Sequence, residues 1–151
     1  MHWIPAALAV AMIAVESTAT MSADNTSHWL LPIWVHLFGP ITADRWSVVH
    51  HWIRKTGHFV GYGLVSAAFF HGWNYSIKTR SYARPLNQPA AFLAVCSTLL
   101  VSIADEYHQS FLPNRTSSPY DVLIDLCGAV AALLILALLP PLSRRMVAQK
   151  V

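Results

Sequence analysis

Charge is scarce in this sequence. Only 11% of its 151 residues are Asp, Glu, Lys or Arg, against 55% hydrophobic ones, where a soluble domain carries about 25% charged residues. The deficit leaves too little polar material to cover a water-facing surface, and the charges present fall between long apolar runs rather than among them. Cysteine is nearly absent. Cys96 and Cys127 stand alone in apolar stretches without a CxxC partner, so both read as small core residues rather than as a disulfide or a thiolate metal site. Basic runs are missing as well. The formal net charge of +3 comes from Lys and Arg in separate short segments, which argues against a nucleic-acid-binding stripe. There is no internal repeat, no HExxH or comparable metal signature, and no apparent activated Ser or Cys nucleophile.

What is present is a set of apolar runs. Residues 3–19, 52–73, 89–111 and 119–139 each approach the roughly 20 residues that cross a bilayer as a helix. The expectation is an all-α, polytopic membrane protein: one domain over residues 1–151, built as a bundle of about four transmembrane helices. The first run is short and ends near Glu16. A cleaved signal peptide competes with it, but the stretch before it lacks Lys and Arg, and a carboxylate follows directly. The fourth run ends at Pro140 and Pro141, which cannot continue a helix. Between the first two runs lies a long first loop, residues 20–51. It is rich in aromatics (Trp29, Trp34, Phe38, Trp46), with Trp52 just beyond, and is broken by Pro32 and Pro40. It reads as an interfacial segment at headgroup level, with a helix from Asp44 that runs towards the second span. The second loop and the tail carry six Lys or Arg (Lys78, Arg80, Arg84, Arg144, Arg145, Lys150) against four elsewhere (Arg45, Arg54, Lys55, Arg115). That bias predicts both termini in the cytoplasm.

Ionisable groups inside a membrane are costly and are functional candidates for that reason. Here they converge. Glu16 ends the first run, Lys55 and His58 begin the second, Glu106 and Gln109 end the third, and Asp121 and Asp125 begin the fourth. In an up-and-down bundle all four of those ends lie at one membrane face. Lys55, His58 and Tyr62 share one helix face by spacing; so do Ser102, Glu106 and Gln109, and so do Asp121, Asp125 and Gly128. Lys55 and Arg115 are the natural counter-ions. Gly57, Gly61 and Gly128 are candidates for close helix packing. Plainer readings exist. Ser118, Pro119 and Asp121 have the spacing of a capping box, which would account for Asp121 without any function, and Arg54 reads equally as an interface anchor. His58, Glu106, His108, Asp121 and Asp125 are ligand types, but without a signature spacing no metal and no cofactor is expected.

Three blocks carry a resemblance: Lys55-Thr-Gly-His-Phe-x-x-Tyr62, Asp105-Glu-x-His-Gln-x-Phe-x-Pro-x-Arg115 and Ser118-x-x-Asp121-Val-x-x-Asp125-x-x-Gly128. Together the chain resembles the VanZ-like family of bacterial integral membrane proteins, from about Glu16 to Leu139. The resemblance departs at Arg54, where the family often has Asp, and at Asp125, where it often has Asn. It implies about four spans in the bacterial cytoplasmic membrane and a role in the cell envelope. The family's namesake is associated with low-level resistance to teicoplanin, a glycopeptide carrying a fatty acyl chain. The functional expectation is a protein that is not evidently an enzyme. Its outer-face polar cluster would engage a membrane lipid or a lipid-linked envelope precursor, and an oligomer is compatible with its size. The alternatives are an intramembrane enzyme acting on a lipid headgroup through Glu106, His58 and Asp121 or Asp125, and a structural protein whose polar groups fix helix register.

Overall fold

In a computed structural model the protein is described over residues 1–77, 86–113, 115 and 117–139. Among these residues it forms five α-helices and no strand: α1 Ile4–Glu16, α2 Ala23–Phe38, α3 Ala43–Ser76, α4 Gln88–Gln109 and α5 Pro119–Leu138, with a short 3₁₀ turn at Ala19–Met21. The basic residues of the second loop and tail, together with Pro140 and Pro141, lie outside the described residues.

The helix starts follow local chemistry. Ser22 accepts from the Asn25 amide at α2, Asn87 from the Ala90 amide at α4 and Ser118 from the Tyr120 amide at α5. Each satisfies a donor that the first turn leaves orphaned. Pro lies in the first turn of α1, α4 and α5, where its missing N–H costs nothing. α2 ends at Gly39 with φ of 88°, a backbone state that suits glycine.

The Trp-rich first loop differs from expectation. Most of residues 20–51 is helical, as α2 and the first two turns of α3. Pro32 sits inside α2 and Pro40 outside it, so only Pro40 ends a helix. α3 continues without a break from Ala43 to Ser76, about 51 Å at 1.5 Å per residue. α4 and α5 are long and apolar enough to cross a membrane. α1, with 13 residues, spans only about 20 Å.

α3 is the hub and packs on α5, α4 and α1. Its tightest contact is with α5. A Cβ built at Gly128 would overlap the Phe59 carbonyl oxygen, and one at Gly63 would lie 3.1 Å from the Gly128 oxygen. Gly57 has nothing within 4 Å and Gly61 meets only Ile13 at 3.8 Å. The close seam therefore runs through Gly63 and Gly128, two positions whose neighbours on the partner helix are unknown to one-dimensional spacing. At the far end of α3, Trp3 packs edge-on against Trp73 and Phe69, and Trp73 donates to Ser97 Oγ at 3.1 Å. This aromatic group ties α1, α3 and α4 together opposite the polar end.

Candidate functional site

The polar end is built by four chain segments. The end of α1, the middle of α3, the end of α4 and the start of α5 meet there through side-chain bonds. Lys55 pairs with Asp121 Oδ1. Asp125 is wholly buried, with Oδ1 3.1 Å from His58 Nδ1 and Oδ2 accepting from Ser102 Oγ at 2.6 Å. Tyr62 donates to Asp105 Oδ2 at 2.8 Å. A charge out of water needs a partner of this kind, and each bond joins two helices, so the cluster also sets their register.

Asp121 does not close a capping box. In that motif the third-position acid accepts from the backbone N–H of the cap residue. Here the Ser118 N–H donates instead to Glu106 Oε2 on α4, at 2.8 Å. Glu106 has taken over the local role, and Asp121 is free to meet Lys55. Glu106, Asp121 and His58 each offer a ligand-type atom, and these atoms lie within 4.8 Å of one another. Two ionised carboxylates at that separation repel by about 3.5 kcal/mol at an effective dielectric constant near 20. Among the described residues, Glu106 Oε1 is buried and has no hydrogen-bond partner; the same holds for Asp105 Oδ1 and Arg115 Nε.

Arg115 serves the end of α1 rather than a carboxylate. Its Nη2 donates to the carbonyl of Glu16, which α1 leaves unsatisfied at its C-terminus, and to that of Thr18, which also accepts from the Met21 N–H. Burial, and Arg54 beside it, push the Arg115 guanidinium below its usual range, against the pull of Asp105, Glu106 and Glu16. It remains charged at neutral pH. Glu16 contributes its backbone carbonyl, while its side chain is exposed at the edge of a cavity. His108 leaves the cluster and bonds Ser17 Oγ through Nδ1 at 2.9 Å. Gln109 is buried next to the same cavity.

That cavity, of about 280 Å³, opens between α1, α2, α3 and α4. Its lining is mixed: Arg54, His58, Tyr62, Asp105 and Arg115 are polar, and Ile13, Trp29 and Leu30 are apolar or aromatic. A second cavity of about 370 Å³ lies between α2 and α3, and reaches Arg54, Lys55, His58 and Asp121. His58 and Arg54 border both. Sequence reasoning singled out Lys55, His58, Tyr62, Glu106, Asp121 and Asp125, but did not include Asp105, Ser102 or Arg54 among the site residues. The spacing of Ser102 with Glu106 was the signal for the first helix face. Asp105 sits a residue away from that face and is drawn in only by the Tyr62 hydroxyl on another helix.

The outward faces of α4 and α5 carry Phe92, Leu100, Ile103, Leu123, Leu134 and Ile135, all exposed. Only 33% and 28% of the apolar windows of these helices are buried inside the fold. Contiguous apolar surface on that scale is foreign to a soluble monomer and agrees with a membrane protein. No curated protein and no solved structure is a significant match to the chain. The VanZ/LLP1 family model matches residues 2–140, nearly the whole chain. On that match, with its helical fold and apolar exterior, the chain belongs to the VanZ/LLP1 family.

Proposed function

We propose that the protein is a multi-pass protein of the bacterial cytoplasmic membrane that engages the headgroup of a lipid or lipid-linked envelope precursor at its polar end. The observation that carries this reading is the mixed lining of the cavity of about 280 Å³. Arg54 and Arg115 share it with Ile13, Trp29 and Leu30, a combination that suits an amphiphile whose anionic head meets guanidinium while its chain follows apolar side chains. α1, the second half of α3, α4 and α5 serve as four spans. His58 and Trp73 are fifteen residues apart on α3, about 22 Å. The polar cluster and the aromatic group at Trp3 and Trp73 therefore mark two faces separated by much of a hydrocarbon core. α2, with Trp29 and Trp34 on a helix that buries no residue, lies at the interface. Family membership supports a link to glycopeptide resistance through this envelope contact.

The test is native mass spectrometry of protein extracted in mild detergent. Wild type should retain an anionic lipid or lipid-linked species, and Arg115→Ala should lose it while staying inserted. Equal retention by wild type and variant, or no retained species in either, would remove the headgroup reading. It would favour the structural alternative, in which the same bonds only fix helix packing.

A further inference from the structure

We propose that His58, Glu106 and Asp121 form a binding site for one divalent transition-metal ion. The sequence argued against a metal because no two of these residues share a signature spacing. The fold brings them together from three helices, with ligand-type atoms within 4.8 Å of one another. Ligands held about 2.1 Å from an ion lie about 3 to 4 Å apart, so side-chain adjustment of the order of an ångström closes the set.

Three further observations point to an ion rather than to a plain acidic cluster. Glu106 is only 5% exposed. Its Oε2 is held by the Ser118 N–H, and the Ser117 hydroxyl also acts on the carboxylate; its Oε1 is buried with no hydrogen-bond partner among the described residues, an arrangement that a ligand to that oxygen would complete. His58 uses Nδ1 towards Asp125. Its Nε2 has no hydrogen bond among the described residues and is the ring nitrogen left for an ion. A carboxylate behind a histidine ligand, itself fixed by the Ser102 hydroxyl, is the usual second layer of a metal site: it sets the tautomer and raises the basicity of the ring. Charge agrees. Glu106, Asp121 and Asp125 carry three negative charges when ionised, and Lys55 cancels one. A divalent cation would offset negative charge that Lys55 leaves, in a cluster whose balance also includes Asp105, Arg54 and Arg115. Both cavities reach His58, so an ion has a path in.

One imidazole and two carboxylates suit Zn²⁺ or Mn²⁺; Ca²⁺ and Mg²⁺ favour all-oxygen sets. The site does not depend on the headgroup reading, because an ion would be held by lipid-free protein.

The experiment is metal analysis of the full chain in detergent. The protein is stripped with chelator, equilibrated separately with Zn²⁺ and Mn²⁺, and read by bound-metal stoichiometry and by competition affinity. Wild type should bind one ion. Glu106→Gln and Asp121→Asn should each bind at least about tenfold more weakly. Asp44→Asn, in the exposed first turn of α3, should match wild type. Lys55→Met should bind at least as tightly as wild type, because it removes the cation that competes for Asp121. A cluster that needs only Lys55 and protons predicts no bound ion in any of these. Circular dichroism reports whether each variant folds, and chelation should lower the melting temperature of wild type, so the claim does not hang on one variant. Absence of bound metal in wild type overturns the site. So does equal binding by wild type, Glu106→Gln and Asp121→Asn, which would assign the ion to other histidines.

Discussion

Gly128 shows how much a single residue decides. The α5 backbone approaches α3 so closely there that a methyl group would overlap the Phe59 carbonyl. Overpacking of this kind costs about 1–3 kcal/mol, and the clash is with backbone, which cannot turn aside. Gly128→Ala is therefore expected to destabilise by at least that amount in detergent unfolding. Gly57→Ala meets open space and should be neutral or stabilising by up to about 1 kcal/mol, since alanine is the better helix former. Equal stabilities for the two variants would mean that the seam is not where the helices touch. The same contrast shows what the sequence can carry. A Gly-x-x-x-Gly spacing is visible in one dimension, but which glycine faces a partner depends on how each helix is rotated. Asp121 is a similar case. Its position three residues after Ser118 reads as a cap, and only the amide bond from Ser118 to Glu106 shows that the acid is free for Lys55.

At the scale of elements, α2 is the least anchored helix. It has no buried residue, and its attachment to α3 rests on a few side chains. Thr26 Oγ1 lies 3.1 Å from His50 Nε2, Trp46 donates to Ser27 Oγ at 2.6 Å, and His50 stacks on Trp46 with ring centroids 5.4 Å apart. Burial, and then Arg54, lower the His50 pKa below its ordinary 6.5. A depressed folded-state value means that the neutral ring contributes fully above pH 6.5. That contribution is lost as pH falls through the folded-state value, because the unfolded chain takes up the proton first. α2 is thus expected to loosen under mild acid, seen as a change in Trp fluorescence. Thr26→Val should weaken the docking already at neutral pH and flatten the acid response. A fluorescence profile unchanged between pH 7.5 and about 5 would show that His50 does not hold α2. The helical nature of this segment is hidden from sequence reading by Pro32 within it and Pro40 just beyond it. Pro32 is tolerated within α2, and Trp34 packs on Phe38 within that helix and on Trp46 across the turn.

For the molecule as a whole, the bonds at each end of the bundle make one prediction about topology. The N-terminal Trp3, Ile77 at the end of α3 and Asn87 at the start of α4 lie at the aromatic end, since Trp3 packs on Trp73 and Asn87 donates to the Ile77 carbonyl; α5 starts at the polar end and runs away from it. The α4–α5 turn lies at the polar end with Arg115 and Glu16. Reporters fused at the N-terminus and after Leu139 should therefore read the same side, the cytoplasm by the Lys and Arg bias, and a reporter between α4 and α5 the other. Reporters at the two chain ends reading opposite sides would break the four-span arrangement.

Composition and periodicity by themselves determined that the chain is helical, too apolar for water, and supplied with costly polar residues at the ends of its apolar runs, because those properties depend only on the order of residue types. Which of those residues meet was decided by the tertiary structure. Ser102 on Asp125, Tyr62 on Asp105, the Ser118 amide on Glu106, and Arg115 on the end of α1 are bonds between segments separated by 12 to 99 residues. Contacts of that kind exist only once helix rotation and the glycine seam have set where each face points.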